Sequence, residues 1–312
     1  MWSLVLRRLL LTLPTLLGAS LIVFVMVKLA PGDPISILMP PDAGKAEIVA
    51  VKQSLGLDRP LAVQYLKWLE RTLHGDLGRS IATRRPVVSD VLGALENSLI
   101  LALASSALAL IPGLALGTLA AFKRGGPVDK LVSAVAITGV SIPHYWAGIL
   151  LIIVFSVQLG WLPAMGGPAE PGIGPYLRHM LLPAIALALI PLGVITRVVR
   201  SAVLDILAQE FVLTLRVKGL HMNAIGRHVL KNASPQILTV MALQFGFQLG
   251  GSVLVETVFS WPGTGYLLNI AIFQRDMPLL QGIILVLSTM FVLLNLAVDV
   301  VQSLIDPRII RG

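Results

Sequence analysis

The sequence predicts an all-α membrane protein with six transmembrane helices and both termini in the cytoplasm. Three observations carry that prediction. Only 13% of the 312 residues are charged, against roughly 25% in ordinary soluble domains, and mean hydropathy is +0.86. Six apolar runs with at most one charge each lie near 9–29, 97–121, 131–157, 180–197, 235–257 and 280–303, matching the ~20 residues a helix needs to cross a ~30 Å hydrocarbon core. The basic residues of the short connections gather on one side, as cytoplasmic loops require.

The first run follows Arg7 and Arg8. It exceeds the ~7–15 apolar residues of a secretory signal, so residues 1–30 read as an uncleaved first span. Residues 31–96 form an outer segment whose eight basic residues do not oppose its export, because loops beyond about 60 residues translocate largely regardless of charge. Within it, PGDP at 31–34 stops the first helix and Gly56 ends a short one. Asp58 and Pro60 start another, with Leu61, Tyr65, Trp68, Leu69 and Leu73 on one face, suited to a membrane surface or the mouth of a bundle.

Residues 97–312 supply the other five spans and a connection at 201–235. The third run contains Pro143, which removes a helix hydrogen bond and predicts a kink. The fourth is short and holds Pro183 and Pro191, which makes it the least regular. Gly113/Gly117 and Gly246/Gly250, with Gly251 adjoining, have the spacing that lets membrane helices approach closely. Arg7, Arg8, Lys123, Arg124, Lys130, Arg197, Arg200, Arg216, Lys218, Arg227, Lys231, Arg308 and Arg311 all fall on the cytoplasmic side, whereas the short outer loops hold only Arg178 and Arg275.

Several classes of chemistry are excluded. There is no cysteine, hence no disulfide, thiolate metal site or cysteine nucleophile. The net charge of +8 is dispersed between apolar runs and makes no basic face with interleaved aromatics, so nucleic acid is not a partner. A phosphate-binding G-x-x-x-x-G-K-[ST] loop, an H-E-x-x-H helix and a G-x-S-x-G elbow are all missing from the sequence. The chain has no visible means of hydrolysing ATP, and no cofactor or metal site of its own is expected.

Polar residues inside the spans must find partners or water. Ser141, His144, Gln244, Gln248, Asn295 and Asp299 are such residues. Gln244 and Gln248 share a helix face, as do Asn295 and Asp299. These faces suit either a polar translocation path or interhelical hydrogen bonding. Asp299 lies near the cytoplasmic end of its span, which favours a cap or surface contact. Ser141 and His144, at i and i+3 around Pro143, also admit an intramembrane hydrolase, without an evident positioned carboxylate.

The 201–235 connection is the most patterned stretch. Asp205, Glu210, Arg216, Lys218, Arg227 and Lys231 would together cost on the order of 15–20 kcal/mol at the bilayer centre, so the segment lies in water. Leu204, Leu207, Ala208, Phe211 and Leu215 nevertheless follow helical spacing, predicting one amphipathic helix of about four turns. Gly219 ends it in a left-handed conformation with Leu220 as the hydrophobic residue beyond, and Asn223 caps the next helix. A helix, sharp turn and helix between two spans presents a knob to the cytosol, either to dock a partner or to fold back on its own bundle.

EFVLTLRVKGL at 210–220, followed by HVLKNASP at 228–235, resembles the cytoplasmic loop of ABC-importer permeases. LRRLLLTLPTLL (6–17), LAPGDP (29–34), GDLGRSIATRRPV (75–87), GGSVLVETVFSWPGTG (250–265) and DPRI (306–309) extend the resemblance, in order and over nearly the whole chain, to the dipeptide, oligopeptide, nickel and glutathione branch. The resemblance implies a type I ABC-importer transmembrane domain in a bacterial or archaeal cytoplasmic membrane. Its partners would be a second homologous permease, two ABC ATPase subunits that bind ATP and Mg, and an extracytoplasmic solute-binding protein.

Carried over to this sequence, Glu210, Phe211, Thr214, Lys218, Gly219 and Leu220 are the ATPase-docking and turn residues. Glu256, Trp261, Pro262 and Gly263 are the outer-gate or binding-protein residues. Leu215 and Val217 replace small alanines of the family pattern, and Pro235 comes one residue early. The cargo so implied is peptides, with nickel chelates, glutathione or another small solute as alternatives. An ion-driven secondary transporter is the competing class, and it would favour inverted repeats and ionisable groups near the midplane.

Overall fold

The computed structural model describes residues 2–29, 44, 58–168 and 171–305, and these are nearly all helical. In chain order the helices are α1 (Trp2–Leu29), α2 (Leu61–Leu73), α3 (Val87–Phe122), α4 (Pro127–Ser141), α5 (His144–Leu151, running on as a π-helix over Ile152–Gln158), α6 (Ile173–Leu207), α7 (Glu210–Val217), α8 (Met222–Val258), α9 (Thr264–Phe273) and α10 (Met277–Ile305). The short helix expected to end at Gly56 lies outside the described residues, as do PGDP and DPRI.

Five of these helices are long and apolar enough to cross a membrane, and α4 and α5 pass the same test of length and composition together, as a pair bent by 100°. The bend falls where Pro143 predicted it. A residue before proline is driven toward extended backbone, and Ile142 sits at φ −89° and ψ 122°. Proline then opens α5, where its missing N–H costs nothing.

The fourth span departs from expectation. α6 is an unbroken 35-residue helix through both Pro183 and Pro191. It is also the most enclosed span, 61% buried over its apolar window against 17–28% for the other four single-helix spans. Both prolines are buried, and neighbouring helices are the setting in which interior proline is tolerated in a membrane.

Small residues explain that enclosure. A Cβ built on Gly117 would stand 2.6 Å from the Thr196 carbonyl oxygen, and one on Gly113 would stand 2.9 Å from the Ile195 side chain. Thus α3 lies directly on α6. On another side of α6, Gly193 faces the Ala136 carbonyl too closely for any side chain, and Gly139 faces that of Leu189, which brings α4 equally near. The second glycine pattern behaves differently: Gly246 meets only Leu294 at an ordinary 3.5 Å, and nothing crowds Gly250 or Gly251.

The chain divides into two compact units, one built on Asn97–Pro262 with the chain from Leu294 onward, the other on Trp2–Glu96 with Gly263–Leu293. In the first, Val199, Val203, Val212, Ile225 and Val229 form a dry cluster, while Leu101, Leu182, Val255, Phe259 and Trp261 form another.

In the second unit, Val87 and Val91 pack with Ala271, Leu279 and Ile283. Tyr65 and Trp68 of α2 lie against Phe24 of α1, at 5.5 and 5.8 Å between ring centroids, and the Tyr65 hydroxyl meets that of Ser20 at 2.9 Å. The amphipathic face predicted for α2 is therefore used at its middle, whereas Leu61 and Leu73 at its ends remain exposed. The loop before α3 is stapled by buried Asp276. Its carboxylate accepts from the Ser80 hydroxyl at 2.5 Å and the Ala82 amide at 3.2 Å, and caps the start of α10 through the Leu279 amide.

Candidate functional site

The hydrophilic connection folds as a compact knob. The single four-turn helix expected from the spacing is broken: α6 ends at Leu207 with Ala208 as its cap, Gln209 turns extended at φ −78° and ψ 148°, and α7 restarts at Glu210. Helical spacing survives the break because both halves bury the same stripe. Val212 is 1% exposed and joins Val203, Ile225 and Val229, with Phe211, Leu215 and Leu220 packed around them.

The far end of α7 closes as its glycine predicted. Gly219 has φ +75°, in the left-handed region where a side chain costs roughly 1–2 kcal/mol. Its N–H donates to the Arg216 carbonyl at 2.9 Å and the Leu220 N–H donates to that of Leu215 at 3.2 Å. These are the two bonds of a Schellman turn, with Leu215 and Leu220 as its hydrophobic pair. The following cap differs from expectation: His221, not Asn223, caps α8, its ring accepting from the Asn223 amide at 3.5 Å.

The six proposed docking residues thus separate into two groups. Glu210, Thr214, Lys218 and Gly219 face solvent, while Phe211 and Leu220 are half-buried against the knob's own core. Beside the exposed group stand Leu213 and Val217, 65% and 80% exposed. Sequence reasoning missed these two, although they fall one turn apart on the face opposite Val212.

Two polar assemblies lie in the same compact unit as the knob. At the start of α4, Asp129 is 4% exposed and forms a two-pronged pair with Arg200 of α6. Arg200 Nε donates to one carboxylate oxygen at 2.6 Å and its terminal nitrogen donates to the other at 2.9 Å. The Gly125 amide and the Ser133 hydroxyl complete the carboxylate's partners. At the other end of the unit, Trp261 is fully buried and Glu256 equally so. Glu256 accepts from the Ser98 hydroxyl at 2.7 Å. Trp261 donates its indole N–H to the Asn97 carbonyl at 3.2 Å and packs edge-on to Tyr176 at 5.3 Å. The Asn97 side chain donates to the Pro262 carbonyl at 3.0 Å and accepts from Tyr176 at 3.1 Å. Of the outer-gate candidates, Pro262 is exposed, and Gly263 is buried as the cap of α9.

A cavity of about 380 Å³ opens between α3, α6, α8 and α10, lined by Ser106, Leu238, Gln244, Phe245, Gln248 and Val298 among others. Gln244 and Gln248 share it, as their spacing requires. Gln248 accepts from the Ser105 hydroxyl and, at 3.3 Å, from that of Ser106, so its oxygen joins α8 to α3. Asn295, Ser141 and His144 do not line this cavity. The Ser141 hydroxyl donates to its own helix at the Ile137 carbonyl, 2.9 Å away, and His144 opens α5 beyond the bend. The structure thus does not join them as nucleophile and base. The Asp299 side chain lies outside the described residues.

Residues 1–99 match the family model "Binding-prot-dependent transport system membrane comp, N-term", and residues 113–311 match "Binding-protein-dependent transport system inner membrane component". The chain belongs to this binding-protein-dependent permease family. It is 40% identical over 310 residues, 99% of both chains, to the glutathione transport system permease protein GsiC of Salmonella paratyphi A, and 39% identical over the same lengths to that of Escherichia coli K12.

Among solved structures it is similar to the MetNI methionine ABC transporter in inward-facing conformations. The TM-score is 0.58 at 17% identity, covering 69% of this chain and 96% of that one, a likeness of fold. The permease is accordingly a multi-pass inner-membrane subunit of an ABC importer with a type I transmembrane domain. Membership implies ATPase and solute-binding partners.

Proposed function

We propose that this permease forms half of the translocation path for short peptidic solutes, with glutathione the foremost candidate cargo, and that it is driven through α7. The knob carries this reading: a helix anchored by Val212 and stopped by a left-handed glycine presents Glu210, Thr214, Lys218, Leu213 and Val217 to water on a fixed scaffold. An exposed face that mixes apolar and charged groups, held rigid from beneath, suits a protein groove. The full-length likeness to glutathione permeases supports the cargo.

In this reading a second permease completes the path and two ATPase subunits bind ATP and Mg. A solute-binding protein delivers cargo to the opposite side, toward the surface that includes Pro262. The permease itself carries out no catalysis and holds no cofactor. Phe211 and Leu220 shape the knob from within and Gly219 makes its turn, while Glu210, Thr214 and Lys218 meet the ATPase. Gln244 belongs to the path, and Gln248 braces its wall.

Proteoliposomes containing the permease pair, the ATPases and the binding protein test this. They are expected to accumulate labelled glutathione only when ATP is supplied on the ATPase side. Replacing Glu210→Lys and Gly219→Pro together is expected to abolish uptake and ATPase copurification while the permease pair remains in the membrane. Normal uptake by that variant refutes the docking assignment.

A further inference from the structure

We propose that Asp129 and Arg200 are positioning residues for transport. Their two-pronged pair locks α4 to α6, so that a displacement of the knob reaches both helices as one body. This rests on the reading of α7 as the ATPase-driven element. The argument begins with connectivity. Arg200 lies seven residues before the end of α6, and only Ala208 and Gln209 separate that helix from α7. Val199 and Val203, on either side of Arg200, share a dry cluster with Val212 of the knob. The last two turns of α6 and the knob therefore move together.

What they move is decided by the other prong. Asp129 stands in the first turn of α4, and its carboxylate gathers Arg200, the Gly125 amide and Ser133. One acid thus ties the turn after α3, the start of α4 and the end of α6. Farther along, α4 and α6 already touch at Gly193, which takes the Ala136 carbonyl and the Val140 side chain, and at Gly139, which takes the Leu189 carbonyl, but none of these contacts is a directional polar bond. The two-pronged pair supplies the directional restraint those contacts lack. Beyond Ser141, α4 reaches the 100° bend at Pro143, so the pair ties the knob end of α6 to the first half of the bent pair α4–α5.

A lock and a mere fold staple predict different results. Removing Arg200 alone leaves the buried Asp129 carboxylate unpaired and destabilises the protein, whereas removing both charges at once strands neither. The informative variant is therefore the neutral pair Asp129→Asn with Arg200→Gln. In proteoliposomes with the ATPases and binding protein, this variant is expected to assemble and hydrolyse ATP, yet to accumulate labelled glutathione with a solute-per-ATP ratio lowered by at least about fivefold, the lower end of measured allosteric couplings.

Spin labels at Lys130→Cys and Ser201→Cys, introduced into a chain with no native cysteine, supply a cargo-independent readout. Their separation is expected to stay constant between nucleotide-free and ATP–vanadate states with the native pair, and to change by several Å, on the order of a helix shift, with the neutral pair. A constant separation in both, or a native solute-per-ATP ratio in the variant, overturns the lock. So does failure of the neutral pair to assemble, which would assign the residues to folding. If the native complex shows no ATP-driven uptake and no copurifying ATPase, the functional reading itself falls, and the lock with it.

Discussion

The knob around α7 and the buried corner around Trp261 lie in the same compact unit, and both were singled out by motif, yet they are built on opposite principles. In the corner nearly every polar group is consumed. Glu256 is held by Ser98, the Asn97 side chain is engaged at both its oxygen and its nitrogen, and the indole N–H is donated to a backbone carbonyl. In the knob the charged groups point outward and a single fully buried valine anchors the helix. The difference follows from the solvent. A polar group away from water must be satisfied internally, which makes the corner rigid, whereas a segment bathed in water keeps its polar face free for another protein to read.

The contrast can be sharpened by separating stability from coupling. Trp261→Ala is expected to produce the largest stability loss, about 3–5 kcal/mol for a buried aromatic truncated in a packed site, seen as a lowered melting temperature of the purified permease pair and reduced membrane yield. Asn97→Ala removes two side-chain hydrogen bonds and should cost about 1–2 kcal/mol by the same measurement. Val217→Asp should change stability by no more than about 0.5 kcal/mol, as exposed substitutions generally do, and yet strip the ATPase subunits during copurification. Should Val217→Asp destabilise the permease as Trp261→Ala does, or leave the ATPases bound, the division between the two regions fails.

The spans were legible because a bilayer imposes a length on apolar runs, and the bend at Pro143 and the turn at Gly219 because proline and glycine act on their own backbone. What escaped the sequence depends on partners far along the chain. Pro183 and Pro191 suggested irregularity in α6, but both are buried among neighbouring helices and the helix runs through them unbroken. The break at Ala208–Gln209 left no trace in the hydrophobic spacing, since both halves bury one stripe. Gly193 stands alone in sequence, and its close approach to Ala136 exists only once α4 is packed. Asp129 and Arg200 stand 71 residues apart, and nothing in the sequence pairs them until the fold does. Of the site, the exposed group of the knob was visible in the motif, whereas Leu213 and Val217 required knowing which face Val212 anchors.

The staple between Ser80 and Asp276 spans 196 positions of the chain, and it dictates an order of events during biosynthesis. The loop that Ser80 belongs to leaves the ribosome early, with α1 and α2, but the acid that fixes its shape is made only after α8 has been translated. Val87 and Val91 wait equally long for Leu279 and Ile283. The unit that begins the polypeptide is therefore among the last parts to mature, and a ribosome stalled before residue 276 would leave its first helices inserted but their outer loop without its clasp.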